Sequence, residues 1–430
     1  MNIVKDIVAF FCGKKHHTFY FQSLTFSDSL FLLRLFILQL FGYEDKVNSR
    51  ELFLEEVKKS FHFNRAYLFG SARSSLYSIL KSLSYANGSE VLVTGFTCEV
   101  VPNAVINAGY SPVYVDINPV NYCMNPKIVE KLITKKTKVI IIQHTFGIPA
   151  EIDELINIAK KYNLFIVEDC AVSLGSKYNG KLTGTFGDAS IFSFELSKTI
   201  TCCWGGMLLL NTNNSTVVKN MEEFYNKVPE QKKSKLVRVL FQIWLSGILY
   251  KPRIYIIGKY LLGFLFKFKI FSPSTSVIEK KGGLSSNYLV RLSNKQAKII
   301  NRQYLKLDKL CEKKIIIKNQ YLDNFSNILD QNFKKFICKN DVILLRFPML
   351  INNHSLVKEY FDNNYVQLGL WFTAPISSKS VDHNIFKYNV GSCPISEFIT
   401  ENIINISTDY LLNKNLTEVL LNSNIKTKSL

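Results

Sequence analysis

Between residues 66 and 211, short unbroken apolar runs alternate with longer segments of helical period. The runs are Val91–Thr94, Pro112–Val115, Val139–His144, Leu164–Asp169, 189–194 and 207–211. A helix opened by Gly70-Ser71-Ala72-Arg73 and closed by the Asn87-Gly88 turn precedes them. Further helices are predicted near Glu99–Ala108, Pro126–Thr134 and 152–161. Apolar runs without polar alternation belong to strands buried on both faces. Strands of that kind, separated by helices, predict an α/β fold with a mostly parallel, doubly covered central sheet.

The flanks read differently. In residues 1–60 the apolar stretch Leu30–Leu40 is broken by Arg34 and Gln39. It falls short of the roughly 20 residues a bilayer span requires, so a packing helix is expected. Segment 231–278 holds nine Lys/Arg and no Asp or Glu, interleaved with Trp244, Tyr250, Tyr255, Tyr260, Phe264, Phe266, Phe268 and Phe271. Such a segment suits an interfacial helix pair on anionic lipid, or an insertion packed on its own protein or a second subunit. After Gly282 a helix (Ser293–Lys309) and a strand-like run (Val342–Phe347) predict a smaller α+β unit. The expected division is 1–60 helical, 61–230 a large α/β domain, 231–280 a basic aromatic-rich insertion, and 281–430 a connecting helix with a small C-terminal domain.

Composition narrows the classes. Of 430 residues 47 % are hydrophobic and 20 % charged, which argues against widespread disorder. The net charge of +19 raises nucleic acid, anionic membrane or phosphorylated substrates as partners. No nucleic-acid reading motif accompanies the charge, so none is expected to bind. Nine scattered cysteines without a CxxC pair read as free thiols in a reducing compartment. The N-terminal run has Asp6 early and no small-residue cleavage site, and a cytoplasmic protein is expected.

Chemistry concentrates at two residues. Leu164-Phe165-Ile166-Val167-Glu168-Asp169 is an apolar strand ending on carboxylates, and Lys198 follows 29 positions later in Ser193-Phe194-Glu195-Leu196-Ser197-Lys198. Ligands of open α/β sheets bind at the carboxyl ends of strands. An amine for an aldehyde and an anion for a pyridinium nitrogen are what pyridoxal 5'-phosphate (PLP) requires. The helix start at residues 71–73 offers free N–H groups to a phosphate. His144, at a strand end, has two open readings: contact with substrate or cofactor, or an internally satisfied ring. Cys202 and Cys203 read as packing residues.

The blocks of residues 66–211 resemble the DegT/DnrJ/EryC1/StrS family of PLP-dependent sugar aminotransferases, of fold type I (aspartate aminotransferase-like). The resemblance lies in Gly70-Ser71-Ala72, Thr94-Gly95-Phe96-Thr97, Asp116-Ile117-Asn118-Pro119, Gln143-His144-Thr145-Phe146-Gly147, Glu168-Asp169-Cys170-Ala171 and Gly184-Thr185-Phe186-Gly187-Asp188, then Lys198 and Trp204-Gly205-Gly206. It continues more weakly through Arg291–Asp308 and Cys393–Glu397.

The resemblance implies that Lys198 forms the Schiff base with PLP and carries the proton, and that Asp169 pairs with the pyridinium nitrogen. Ser71, Ala72 and Ser193 would hold the phosphate. Arg291, with Asn287 close by, would reach the site of the opposite subunit in a homodimer. The implied reaction moves an amino group, usually from glutamate, to a keto sugar that is nucleotide-linked, in cell-surface polysaccharide biosynthesis. Three positions depart from the family pattern: Val172 stands where Gln or His is usual, Cys98 where an aromatic is usual, and Leu289-Val290-Arg291 where Asn-Tyr-Arg is common. Two alternatives remain. One is another PLP reaction on a sugar, of the dehydratase type, against which the retained Lys198 argues. The other is a non-catalytic, membrane-associated binding or scaffold descendant of such an enzyme. For the enzyme itself, segment 231–278 raises the expectation of peripheral attachment to the inner membrane face.

Overall fold

A computed structural model describes residues 3–20, 23–44, 47–285, 288–352, 354–377 and 379–423. Asn287 lies outside them. Seven strands form the main sheet, in the order Arg65–Phe69, Gly206–Leu210, Ala189–Ser193, Phe165–Asp169, Thr137–Gln143, Glu90–Thr94, Ser111–Val115. The last five are mutually parallel, while Gly206–Leu210 runs antiparallel to both its neighbours. Phe165–Asp169 and Gly206–Leu210 are buried at every position, as strands covered on both faces must be.

Register aligns the polar strand ends. Gln143 lies opposite Asp169, Asp169 opposite Ile191, and Ser193 opposite Gly206. The carboxyl ends of three parallel strands therefore meet the amino end of the antiparallel one, beside the start of helix Ala72–Ser82. One apolar core packs helices Ala72–Ser82 and Val100–Asn107 against one side of the sheet, and a second lies under Pro126–Leu132 and Ile152–Lys161.

The flanking segments pack on the other side of the lysine loop. Leu32, Leu35 and Phe53 from the N-terminal helices join Leu240 and Ile243 from helix Lys233–Leu249 around Phe192, Phe194 and Ile200. Phe53 meets Phe194 edge-on at 5.7 Å between ring centres. Each such fully buried side chain is worth about 1.5–3 kcal/mol in apolar area, so this contact steadies the loop that carries Lys198. Helix Phe26–Leu40, expected as a packing helix, lies against Lys233–Leu249, with Phe36 stacked on Trp244 at 5.9 Å.

Two expected elements shift. The helix expected over Ser293–Lys309 breaks at 305–306 into Asn294–Tyr304 and Leu307–Asn324. The strand expected at Val342–Phe347 forms instead at Arg346–Leu350, pairing with Ile403–Ser407. The run before it is buried but bonds elsewhere: Ile343 N donates to Ser176 Oγ and Leu345 N to the Phe146 carbonyl.

Candidate active site

Ser71, Ala72, Asp169, Ser193 and Lys198 all line one cavity of about 370 Å³. Five of the six expected site residues thus come together from three separate stretches of sequence. Arg291 does not join them within the chain. Its guanidinium donates to the Tyr225 carbonyl at 2.8 Å, lies 4.6 Å from the Tyr225 ring centre and stands 3.9 Å from Glu230.

Lys198 sits in a loop that returns from strand Ala189–Ser193 to strand Gly206–Leu210. Glu195 organises the turn: its Oε2 accepts from Ser197 N at 3.0 Å and Ser197 Oγ at 2.8 Å, and its carbonyl accepts from Lys198 N. Gln303 clamps the loop further on, donating to the Thr201 carbonyl and accepting from Thr201 N. Gln296 donates to the Trp204 carbonyl at 2.7 Å. The flanking residues Glu195 and Ser197, silent in the sequence, hold the lysine's backbone.

Burial is the largest influence on the Lys198 amine and pulls its pKa below the ordinary lysine range, against the opposing pull of Glu195, Cys98 and Asp169. Its Nζ lies 4.7 Å from the centre of the Trp371 ring. Burial likewise raises the Asp169 pKa, countered by the Ala171 N–H on its Oδ1 at 3.0 Å and by the charge of Lys198. A buried carboxylate in that state gains most from a cationic partner.

The phosphate end has a tight backbone fit. Ser71 caps helix Ala72–Ser82, its Oγ accepting from Ser74 N. That leaves the N–H groups at the helix start without intrahelical acceptors. A Cβ at Gly206 would fall 2.2 Å from Ser71 C and 2.3 Å from Ala72 N. Only glycine lets the strand approach this cradle. Amine, buried carboxylate and anion-binding helix start fit PLP.

Around these groups stand residues whose place the sequence did not disclose: Tyr20, the strap Pro273-Ser274-Thr275, Arg346 and Trp371. Arg73 pins the strap, donating to the Ser274 carbonyl and to Glu279, each at 2.6 Å. The segment read as an insertion therefore ends as one wall of the cavity. Val172 and Cys98 also line it, whereas Phe96 is in the core against Phe372 and Phe146. His144 takes the internally satisfied reading. Its Nε2 pairs with Glu168 at 3.1 Å and its Nδ1 accepts from Ala150 N. Glu168 in turn accepts from Gly184, Phe186 and Gly187 N–H groups, so its cluster with His144 is internal wiring. Cys202 and Cys203 are fully buried free thiols.

The DegT/DnrJ/EryC1/StrS aminotransferase family matches residues 46–420. The chain belongs to that family. Its aminotransferases depend on PLP. Among curated proteins the chain is 36 % identical over 169 residues to GDP-perosamine synthase of Escherichia coli O157:H7, covering 38 % of this chain and 46 % of that protein. It is 37 % identical over 140 residues to a UDP-N-acetyl-3-dehydro-alpha-D-glucosamine 3-aminotransferase of Acidithiobacillus ferrooxidans, covering 32 % and 38 %. These matches span less than half the length of either relative. Among solved structures, Helicobacter pylori PseC, an aminotransferase of pseudaminic acid biosynthesis, superposes with TM-score 0.67 at 20 % identity over 95 % of this chain and 96 % of that one. The PLP form of the putative sugar aminotransferase Spr1654 of Streptococcus pneumoniae gives 0.64 at 18 %, over 95 % and 96 %. At such identities the likeness shows the fold: fold type I, as expected.

Proposed function

We propose that the protein is a PLP-dependent aminotransferase that moves an amino group from glutamate to a keto sugar carried on a nucleotide, in cell-surface polysaccharide biosynthesis. The observation that carries this reading is the convergence of Lys198, Asp169 and the Ser71-Ala72 helix start on one cavity. When bound, PLP supplies an electron sink for the carbon that bears the amine. Lys198 Nζ, whose pKa burial lowers, would hold the cofactor's aldehyde and would carry the proton between the donor carbon and the cofactor. Asp169 would keep a proton on the pyridine nitrogen. Ser71, Ala72 and Ser193 would hold the phosphate. Arg291 adds charge from the neighbouring subunit of a homodimer, and light scattering that shows a fully active monomer would remove that part. The sugar reading rests on the relatives, two of whose names specify GDP- and UDP-linked sugars.

The protein loaded with PLP should be yellow, should bleach on addition of glutamate, and should regain colour with a nucleotide-linked keto sugar. Failure to bleach with any amino acid overturns the aminotransferase reading in favour of a non-catalytic descendant. Bleaching that no such sugar reverses removes the sugar part alone.

A second reading concerns location. Among the described residues no helix is long and apolar enough to cross a membrane. Helix Pro252–Lys267 nevertheless exposes Ile257, Leu261, Phe264 and, just beyond it, Phe268. Helix Ile3–Phe11, packed beside it, exposes Ile3, Val4, Ile7, Val8 and Phe11. Arg253, Lys267, Lys269, Lys14 and Lys15 are exposed on the same two segments. Other parts of the basic segment pack internally: Lys259 pairs with buried Asp6 at 2.8 Å, Lys251 donates to the Leu24 carbonyl, and Tyr250 stacks on Tyr255, while Lys232, Lys233 and Arg238 are exposed. We propose that this two-helix face attaches the cytoplasmic enzyme peripherally to the inner face of an anionic membrane. Each cation near the headgroups contributes about 1 kcal/mol, and salt weakens the attachment. Intact protein should float with anionic liposomes, whereas a Phe264→Ser/Phe268→Ser variant should stay at the bottom of the gradient. Equal behaviour of the two proteins sinks the reading and leaves a subunit interface to cover this face.

A further inference from the structure

Buried carboxylates in this fold come with donors. Asp6, Asp28 and Glu279 pair with Lys259, Arg302 and Arg73 at 2.8, 2.7 and 2.6 Å. Asp116 accepts from Ile117, Ile395 and Ser396, and Glu168 from His144 and three backbone N–H groups. Two other buried carboxylates, Asp169 and Glu99, lack such company, and both line the cavity that holds Lys198. Asp169 is the residue assigned to the cofactor's ring nitrogen. Glu99 has no role in that scheme.

Glu99 is 6 % exposed and precedes helix Val100–Asn107, yet its side chain makes no cap. Thr97–Cys98 pairs in parallel with Ile376–Ser377, and the Glu99 N–H donates to the Ser377 carbonyl at 3.3 Å, which fixes the turn. Glu99 Oε2 accepts from the Cys98 thiol at 3.2 Å, and Oε1 bonds to nothing among the described residues. A thiol is a weak donor, so a carboxylate held out of water here still lacks O–H or N–H groups. Cys98 also bears on the Lys198 amine, so a single side chain separates Glu99 from the surroundings of the reacting group. Charge then decides between ligands. Glutamate and its keto acid carry two carboxylates, and the nucleotide carries phosphates, all of which Glu99 repels. The donor's amine is consumed in the exchange. The ring hydroxyls of a sugar are neutral, and two neighbouring ones can donate to the two oxygens of one carboxylate.

We propose that Glu99 accepts hydrogen bonds from ring hydroxyls of the sugar that receives the amino group, and so selects a sugar over an open-chain keto acid. The inference rests on the keto-sugar reading of the cavity.

GDP-mannose and UDP-N-acetylglucosamine are the probes, with GDP and UDP as sugar-free controls. Each is titrated calorimetrically into PLP-loaded wild type, Glu99→Gln and Glu99→Asp. Wild type should bind at least one of the nucleotide sugars about tenfold more tightly than its bare nucleotide. Glu99→Gln should bind that sugar and its nucleotide within about twofold of each other. Glu99→Asp, which keeps the charge but draws it back by one methylene, should lie between. Bleaching by glutamate should need no more donor in Glu99→Gln than in wild type, whereas a structural defect would impair both substrates. The Tm of Glu99→Gln should not fall, because the amide still accepts from the Cys98 thiol and a buried charge is removed. A preference for the sugar that survives in Glu99→Gln overturns the proposal. So does a wild type without that preference, or a loss in glutamate bleaching as large as the loss in sugar binding. Should Glu99→Gln fail to fold, Glu99→Asp decides by the same titrations. These need no turnover, so a wild type that does not bleach with any amino acid overturns the aminotransferase reading separately.

Discussion

Lys198→Ala should abolish amino transfer and leave PLP bound, if at all, without covalent attachment. Among the described residues no other lysine both lines this cavity and stands over the Trp371 ring. Replacement amines from solvent would lack both the orientation and the proton-carrying role. Borohydride reduction of the PLP-loaded wild type followed by peptide mapping should place the label on Lys198 alone. Label on another lysine, or none, would refute the assignment. The same residue makes a stability prediction of opposite sense. Burial lowers its folded pKa from the ordinary 10.5, so the unfolded chain binds more protons across the interval between the two values. The native state is therefore penalised below pH 10.5, most of all below the folded pKa. Without cofactor, Lys198→Met should melt at a higher temperature than wild type at pH 7.5. That gain should shrink as the pH approaches 10.5. A residue kept at such a cost belongs to function more than to folding.

Much of the sheet was legible because period and burial coincide there. Ile152–Lys161 falls where the pattern put it, and strand Phe165–Asp169 ends on the expected carboxylate. Val342-Ile343-Leu344-Leu345 misled for a physical reason: burial of side chains does not reveal which backbone groups pair, and this run bonds to Ser176 and Phe146 instead of to a neighbouring strand. The heart of the site was equally legible, since Asp169, Ser193 and Lys198 terminate or follow adjacent strands. Its walls were not. Tyr20, Ser274, Arg346 and Trp371 arrive from distant segments, and only tertiary packing brings them to the cavity. One trace existed. Arg346 is the sole charge in the apolar run Val342–Ile351, and a charge that interrupts an otherwise buried strand needs a reason. For the basic segment, composition left lipid contact and packing on protein both open, and its two helices differ in what they expose. Lys233–Leu249 packs on its own chain, while Pro252–Lys267 retains an exposed apolar face.

Asp169→Asn should preserve the fold and lose most of the rate. The amide occupies nearly the volume of the carboxylate and can still accept the Ala171 N–H now on Oδ1. It carries no charge, so the ring nitrogen loses the anion that keeps it protonated, and the cofactor accepts electrons less well. A charge-assisted contact of this kind, removed at a dry site, costs about 2–4 kcal/mol in barrier, or roughly 30- to 1,000-fold in kcat. Stability should move the other way. Burial raises the folded pKa of Asp169 above its ordinary 3.8, so the native state without cofactor binds the proton more tightly than the unfolded chain does. The resulting penalty is absent below pH 3.8, grows as the pH rises to the folded pKa, and is full above it. Cofactor-free Asp169→Asn should therefore be more stable than wild type at pH 7, by a margin that fades on acidification toward 3.8. Loading PLP should reverse the order, because the ring cation stabilises the carboxylate but not the amide. Thermal melts of both proteins, with and without PLP, separate the two effects. An unchanged kcat with an unchanged order of melting temperatures would make Asp169 a structural residue and dissolve its pairing with the ring.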